Sequence, residues 1–325
     1  MTISRRRVLG ALPALLAGAA LAQPAGRKRP IGVLSLTPRA TDPRLAEFER
    51  ALAALGHIDG KTVDIEWRDS EDRPERLPAL VNDLLHNNVE VIVATTTSAV
   101  EAARRQTTSV PIVFVSPTDP VGSGFAQSLA RPGFNITGVA ADVSDIAPQQ
   151  LELVKQVVPR VRRLAAVLNP RNRIVAQARA RYEDAAAKLG IDLVVIQVGS
   201  GENLRGSVRA AKSLGAQAIV VQRDGIFFLS RVPLIQELAE QKIPALFSQA
   251  ENVAAGGLMS YGPDETENYR RCAHYVDRLL KGARAAELPI ERPAKMRLDV
   301  NLKTAADLGL VLPHPLLARA DRVLR

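Results

Sequence analysis

The sequence contains a single cysteine, Cys272, and aromatic residues make up only 4% of its 325 positions. One cysteine excludes an intramolecular disulfide framework and a cysteine-based zinc site. Also missing are the nucleophile elbow G-x-S-x-G, the phosphate loop G-x-x-x-x-G-K-[ST] and the dinucleotide fingerprint G-x-G-x-x-G, on which large classes of enzymes depend. The four histidines, His57, His86, His274 and His314, fall on expected helices and loops away from any strand end that could gather them. A non-enzymatic protein with no cofactor and no metal is therefore expected, with a weak hydrolase as the remote alternative. Basic residues outnumber acidic ones, 43 to 34, but they are scattered and not interleaved with aromatics. That excludes a nucleic-acid groove and leaves a solvated basic surface.

What is present begins with an address. Ser4-Arg5-Arg6-Arg7 precedes an apolar run from Val8 to Leu21 that closes on Ala20-Leu21-Ala22. The run is shorter than the roughly 20 residues a membrane span needs, and its flanks are those of a signal peptide. Cleavage before Gln23 and a soluble, periplasmic mature chain are expected. The order Ser-Arg-Arg-x-Val-Leu resembles a twin-arginine signal, and an ordinary Sec signal is the alternative. Removing residues 1–22 takes away three arginines and no acid, leaving 40 bases against 34 acids and a net charge of +6.

From Ile31 onward, short β-rich runs alternate with longer segments of helical spacing, the pattern of parallel sheets covered by helices. One series holds strands at 31–36, 63–67, 89–94, 112–115 and 136–139. A second, after the amphipathic stretch 149–158, holds strands at 164–168, 193–198, 218–221 and 245–247. A restarted pattern predicts an α/β fold of two doubly wound Rossmann-like lobes with a cleft between them. Further strands at 256–263 and 296–301, and a helix over 264–281 capped by Asp264, imply that the chain revisits both lobes through a multi-stranded hinge. The expected first lobe is 30–140 with 251–288, and the second is 141–250 with 289–325. Crossings are placed near Gly138 to Asp142, Ser248 to Asn252 and Leu288 to Pro293.

Several segments carry a resemblance. Asp119-Pro120-Val121-Gly122-Ser123-Gly124, Ser128-Leu129-Ala130-Arg131-Pro132-Gly133, Asn135-Ile136-Thr137-Gly138, Leu168-Asn169-Pro170, Gly256 to Asp264, Tyr275 to Gly282 and Asn301 to Ala305 resemble the ABC transporter substrate-binding proteins related to tryptophan and tyrosine importers. The resemblance covers essentially the whole mature chain. It implies a type I periplasmic-binding fold, a small-molecule ligand of the amino acid or carboxylate class, and an ABC permease and ATPase as partners of a monomer. A ligand-sensing partner of a membrane receptor is the alternative. The chain departs from the family's usual pattern at Thr95-Thr96-Thr97-Ser98 and at Leu168.

Doubly wound sheets bind ligands outside the carboxyl ends of their strands, so the candidates are residues at those ends. Thr37 follows the first strand. Thr96, Thr97 and Ser98 follow the third and open a helix, where hydroxyls and free N–H groups suit a carboxylate; capping of that helix by Thr97 or Ser98 is the plainer role. Asp119 follows the fourth strand, as an acceptor for a ligand ammonium or as a turn residue. In the second lobe Asn169 and Asp224 close two strands, with Asp224 either the stronger ammonium acceptor or a structural partner of Arg223. Phe227 or Phe228 would stack on a ligand or pack in the core. Ser248, with Gln249 beside it, and Tyr261 complete the expected lining.

Overall fold

A computed structural model describes residues 28–71, 73–115, 119–140, 146–172 and 175–325. The expected signal peptide and cleavage point lie outside these residues. In chain order the first series is β1 (Arg29–Ser35), α1 (Pro43–Ala54), β2 (Val63–Asp69), α2 (Leu77–His86), β3 (Val91–Ala94), α3 (Thr97–Gln106), β4 (Ile112–Val115) and β5 (Ile136–Val139). The second is α4 (Ala147–Val157), β6 (Arg163–Leu168), α5 (Val175–Leu189), β7 (Asp192–Gln197), α6 (Leu204–Ser213), β8 (Ala218–Val221), α7 (Gly225–Leu229), α8 (Arg231–Glu240), β9 (Ala245–Phe247), α9 (Ala250–Ala254) and β10 (Met259–Pro263). The chain ends with α10 (Glu265–Leu280), β11 (Met296–Asn301), α11 (Leu302–Asp307), α12 (His314–Arg319) and β12 (Arg322–Leu324).

The strands form two sheets, ordered β2-β1-β3-β4-β5 and β12-β11-β10-β9-β8-β6-β7. Read from its far end, the second begins β7-β6-β8-β9-β10, so both halves repeat one doubly wound order. Both faces of each sheet are covered, which is why the strands read as continuous apolar runs. In the first sheet, Ile31, Val33, Val91 and Val93 pack with Phe48 of α1 and Tyr269, Cys272 and Val276 of α10. The alternate residues Leu34, Ile92 and Phe114 pack under α2 and α3. In the second, α4, α5, α11 and α12 cover one face and α6, α7 and α8 the other. Among the described residues no helix is long and apolar enough to cross a membrane.

The segments that carried the resemblance have structural jobs. Asp119 Oδ1 accepts the Gly122 N–H at 2.7 Å, and Phe125 N–H reaches the Pro120 carbonyl at 2.8 Å, so this block is a folded turn. Gly138 sits at φ +143°, and a Cβ there would lie 2.2 Å from the Phe114 carbonyl oxygen. No side chain fits between β4 and β5 at that point.

One expected crossing moves. Residues 259–263 were expected with the first half, yet β10 pairs parallel with β9, through Met259 with Leu246, and antiparallel with β11, through Met259 with Val300. Leu258 and Met259 are buried in the second core. The chain therefore passes over at Pro263–Glu265 rather than at Ser248 to Asn252, and α10 then lies along α1 in the first half. A later passage runs between Glu291, whose N–H bonds the Gly138 carbonyl at 3.0 Å, and Met296 at the start of β11. In the earliest one, Ala140 still bonds Glu291, and Ala141 and Asp142 lie outside the described residues.

Candidate functional site

In each sheet the connections diverge to opposite faces beside one strand, β1 against β3 in the first and β6 against β8 in the second. The carboxyl ends at such a divergence are where open α/β sheets leave a crevice. A cavity of about 490 Å³ lies there, lined from both halves. That volume is in the range of small-molecule sites.

The first half contributes Leu36 and Thr37 after β1, and Thr95 to Ser98 after β3. Thr96 has extended backbone and its Oγ1 accepts the Ala99 N–H at 3.2 Å, so Thr96 is the helix cap rather than Thr97 or Ser98. The N–H groups of Thr97 and Ser98 then open α3, beyond reach of any intrahelical carbonyl. Together with the helix dipole they make a wall suited to a carboxylate.

The opposite wall carries Asn169, Arg171, Asn172 and Asp224. Asp224 caps α7 by accepting the Ile226 N–H at 3.0 Å. Its other oxygen accepts Nδ2–H bonds from Asn169 at 3.0 Å and Asn172 at 2.9 Å. All of these donors are neutral, and no cation pairs with Asp224 among the described residues. Arg223 also lines the cavity and pairs with Glu265 of α10 at 2.8 Å. Asp224 thus presents a negative charge held in place but not neutralised, the arrangement that accepts an ammonium group.

Where the halves meet, Arg44 lies almost enclosed, its side chain 13% exposed. Asp42 caps α1 and also grips Arg44 by two parallel bonds, Nε to Oδ1 at 2.7 Å and Nη2 to Oδ2 at 2.8 Å. On its far side Arg44 faces Glu251 of α9 at 3.3 Å. Its guanidinium stands over the rings of Phe228 at 5.2 Å and Tyr269 at 5.6 Å. Burial opposes its charge, but the nearby carboxylates of Glu251 and Asp42 act against this, and its pKa lies well above the ordinary arginine value.

Of the expected lining residues, Thr37, Thr96, Thr97, Ser98, Asn169 and Asp224 come together around this cavity. Four others do not line it. Asp119 spends its carboxylate on the turn to Gly122. Phe227 is 3% exposed and packs in the second core; its neighbour Phe228 lines the site instead, because successive residues of a helix point about 100° apart. Ser248 is buried with its Oγ between Gln150 and the Val221 carbonyl. Tyr261 packs against the second core, in a strand whose carbonyl is bonded by Gln150. Gln249, expected beside Ser248, lines the cavity, and Asp42, Arg44, Asn172 and Tyr269 line it without having been expected. The one local signal for Asp42 and Arg44 was Asp42-Pro43 at a helix start.

The family model described as ABC transporter substrate binding protein matches residues 38–324. A protein named tyrosine-binding protein, from Clostridioides difficile, is 23% identical over 288 residues, covering 87% of this chain and 82% of that one. Among solved structures, an ABC domain in complex with L-Trp from Streptococcus pneumonia is 25% identical and superposes with a TM-score of 0.84, over 91% of this chain and all of that one. A ligand-free, open substrate-binding protein with adhesive properties from Clostridium difficile gives 0.71 at 21% identity, over 91% of this chain and 99% of that one, a likeness of fold.

Proposed function

The chain belongs to the ABC transporter substrate binding protein family, and from that premise we propose that it captures an amino acid outside the cytoplasm by closing its two halves over it. The observation that carries this reading is a pair of complementary groups on facing walls of the cavity. Free N–H groups of Thr97 and Ser98 on one half suit a carboxylate, and Asp224 on the other suits an ammonium. A ligand touching both walls favours the closed arrangement by the contacts it makes only there. An importer's permease and ATPase would then distinguish loaded from empty protein by shape. The N-terminal sequence supports export with release near Ala22; on this reading the released chain acts as a monomer.

The aromatic ligands named for two relatives, tyrosine and L-Trp, support testing aromatic amino acids first. The apolar wall of Leu36, Phe125, Ile226, Phe228 and Leu229 suits such a body. A thermal-shift screen of the mature chain against amino acids and small organic acids is the test, because a ligand that binds only the folded state raises its apparent stability by mass action. A shift confined to zwitterionic amino acids supports the reading. Shifts with sugars or phosphate alone would overturn it.

A further inference from the structure

Tyr269 is 2% exposed and lines the cavity from α10. Its ring packs in the core of the first half, beside Cys272 and Phe48. Its hydroxyl makes no hydrogen bond to any described residue. Tyr269 Oη is not one of the buried side-chain atoms that lack a partner, so the hydroxyl is reachable from the cavity, where the polar tip of an otherwise buried tyrosine ordinarily finds its partner. Burial pushes its pKa up, so the group is a neutral donor at any physiological pH. The partner of this hydroxyl is therefore to be sought in the cavity it lines.

The setting selects the partner's chemistry. The Arg44 guanidinium stands 5.6 Å over the Tyr269 ring, and two of its N–H bonds are committed to Asp42. Arg44 is itself balanced by Asp42 and Glu251, so the selecting group is the Tyr269 O–H, a neutral donor with no acceptor among the described residues: a ligand oxygen placed against it can accept this bond, and a hydrocarbon cannot. Resting on the proposed capture of an amino acid, we propose that Tyr269 is a specificity-determining residue whose hydroxyl donates to an oxygen on the body of the ligand. The site thereby favours oxygen-bearing ligands over their plain hydrocarbon counterparts.

The test uses two matched pairs and two proteins. L-Tyrosine and L-phenylalanine differ by one phenolic oxygen, as do 3-(4-hydroxyphenyl)propanoate and 3-phenylpropanoate, which lack the ammonium group. Affinities are measured by titration calorimetry on the mature chain and on Tyr269→Phe, which removes one oxygen atom and keeps the buried ring. The wild type is expected to prefer the hydroxylated member by about tenfold or more, and the variant to lose that preference with the phenyl compounds unaffected. If the amino acids fail to bind while the propanoate pair is still discriminated through Tyr269, the amino acid reading falls and the role of Tyr269 stands. If the wild type discriminates neither pair, or Tyr269→Phe keeps the preference, the inference is overturned. It is equally overturned if the variant weakens both members of a pair alike, because the hydroxyl then reads the group they share.

Discussion

Arg44 on α1 and Glu251 on α9 face each other at 3.3 Å although 207 positions separate them in the chain, and they belong to opposite halves. Arg223 and Glu265 pair at 2.8 Å beside the crossing at Pro263–Glu265. The Arg44–Glu251 pair joins the two halves in this arrangement and adds to closure whatever a ligand contributes.

Glu251→Gln removes one such charge on a short surface helix. The expected result is a two- to fivefold rise in ligand Kd, within the range of partly exposed ion pairs, and a weaker dependence of Kd on salt. Titration calorimetry at low and at high ionic strength checks both.

Asp224→Asn removes the charge while asparagine can still cap α7, but its amide nitrogen then faces the Asn169 and Asn172 donors that Oδ2 had accepted. Thermal stability is expected to fall modestly, by the loss of about one or two hydrogen bonds. Affinity for an amino acid is expected to fall by about 30-fold or more, as when one member of a buried charge pair is neutralised, while a matching carboxylic acid without the amine binds unchanged. Calorimetry with the two ligands makes the comparison.

Thr97→Pro tests the carboxylate wall in the same spirit. Proline is accepted at the first position of a helix, and Thr96 already has the extended backbone, φ −143° and ψ 161°, that a residue before proline prefers. The substitution deletes one free N–H without breaking an intrahelical bond. A Tm within a few degrees of wild type and a Kd about tenfold higher are expected.

Asp277 gives a pH signature outside the cavity. Burial acts to raise its pKa, but Lys281, at 2.7 Å, and His57, at 2.8 Å, outweigh burial and hold it below the usual aspartate value. A carboxylate whose pKa falls on folding adds stability above its unfolded pKa of about 3.9 and loses it as the pH drops through the folded value. Denaturant midpoints measured from pH 6 down to pH 3 are expected to fall more steeply for wild type than for Asp277→Asn.

Much of this was legible in the residues. The strand ends that build the cavity could be located because a fully covered parallel strand is an apolar run with a sharp polar stop, as in Val91 to Thr95 and Leu164 to Asn169. The positions of Asp224 and Thr96 at strand ends follow from the same stops, but their roles as helix caps do not: the cap of α3 was expected at Thr97 or Ser98, and none was expected at Asp224. Arg44 and Tyr269 could not be found this way. Each sits on an amphipathic helix among ordinary neighbours, and only the contact of α1 with α10, and of Arg44 with Phe228 of α7 and Glu251 of α9, makes them part of a cavity. The placement of β10 was equally hidden, since a strand's sequence does not say which of two sheets it joins. Phe227 and Phe228 show a finer limit: in a five-residue helix, which of two adjacent aromatics faces the core is set by the packing of α7 against its neighbours.

Closure over a ligand is tested most directly by the distance between the halves. Cys272 is fully buried, so a pair of introduced surface cysteines, one on each half, can carry donor and acceptor dyes selectively. Adding a bound amino acid is expected to raise energy transfer along a saturable curve whose midpoint matches the calorimetric Kd, with no such change in Asp224→Asn at the same concentrations. Saturable binding with constant transfer efficiency would contradict capture by closure.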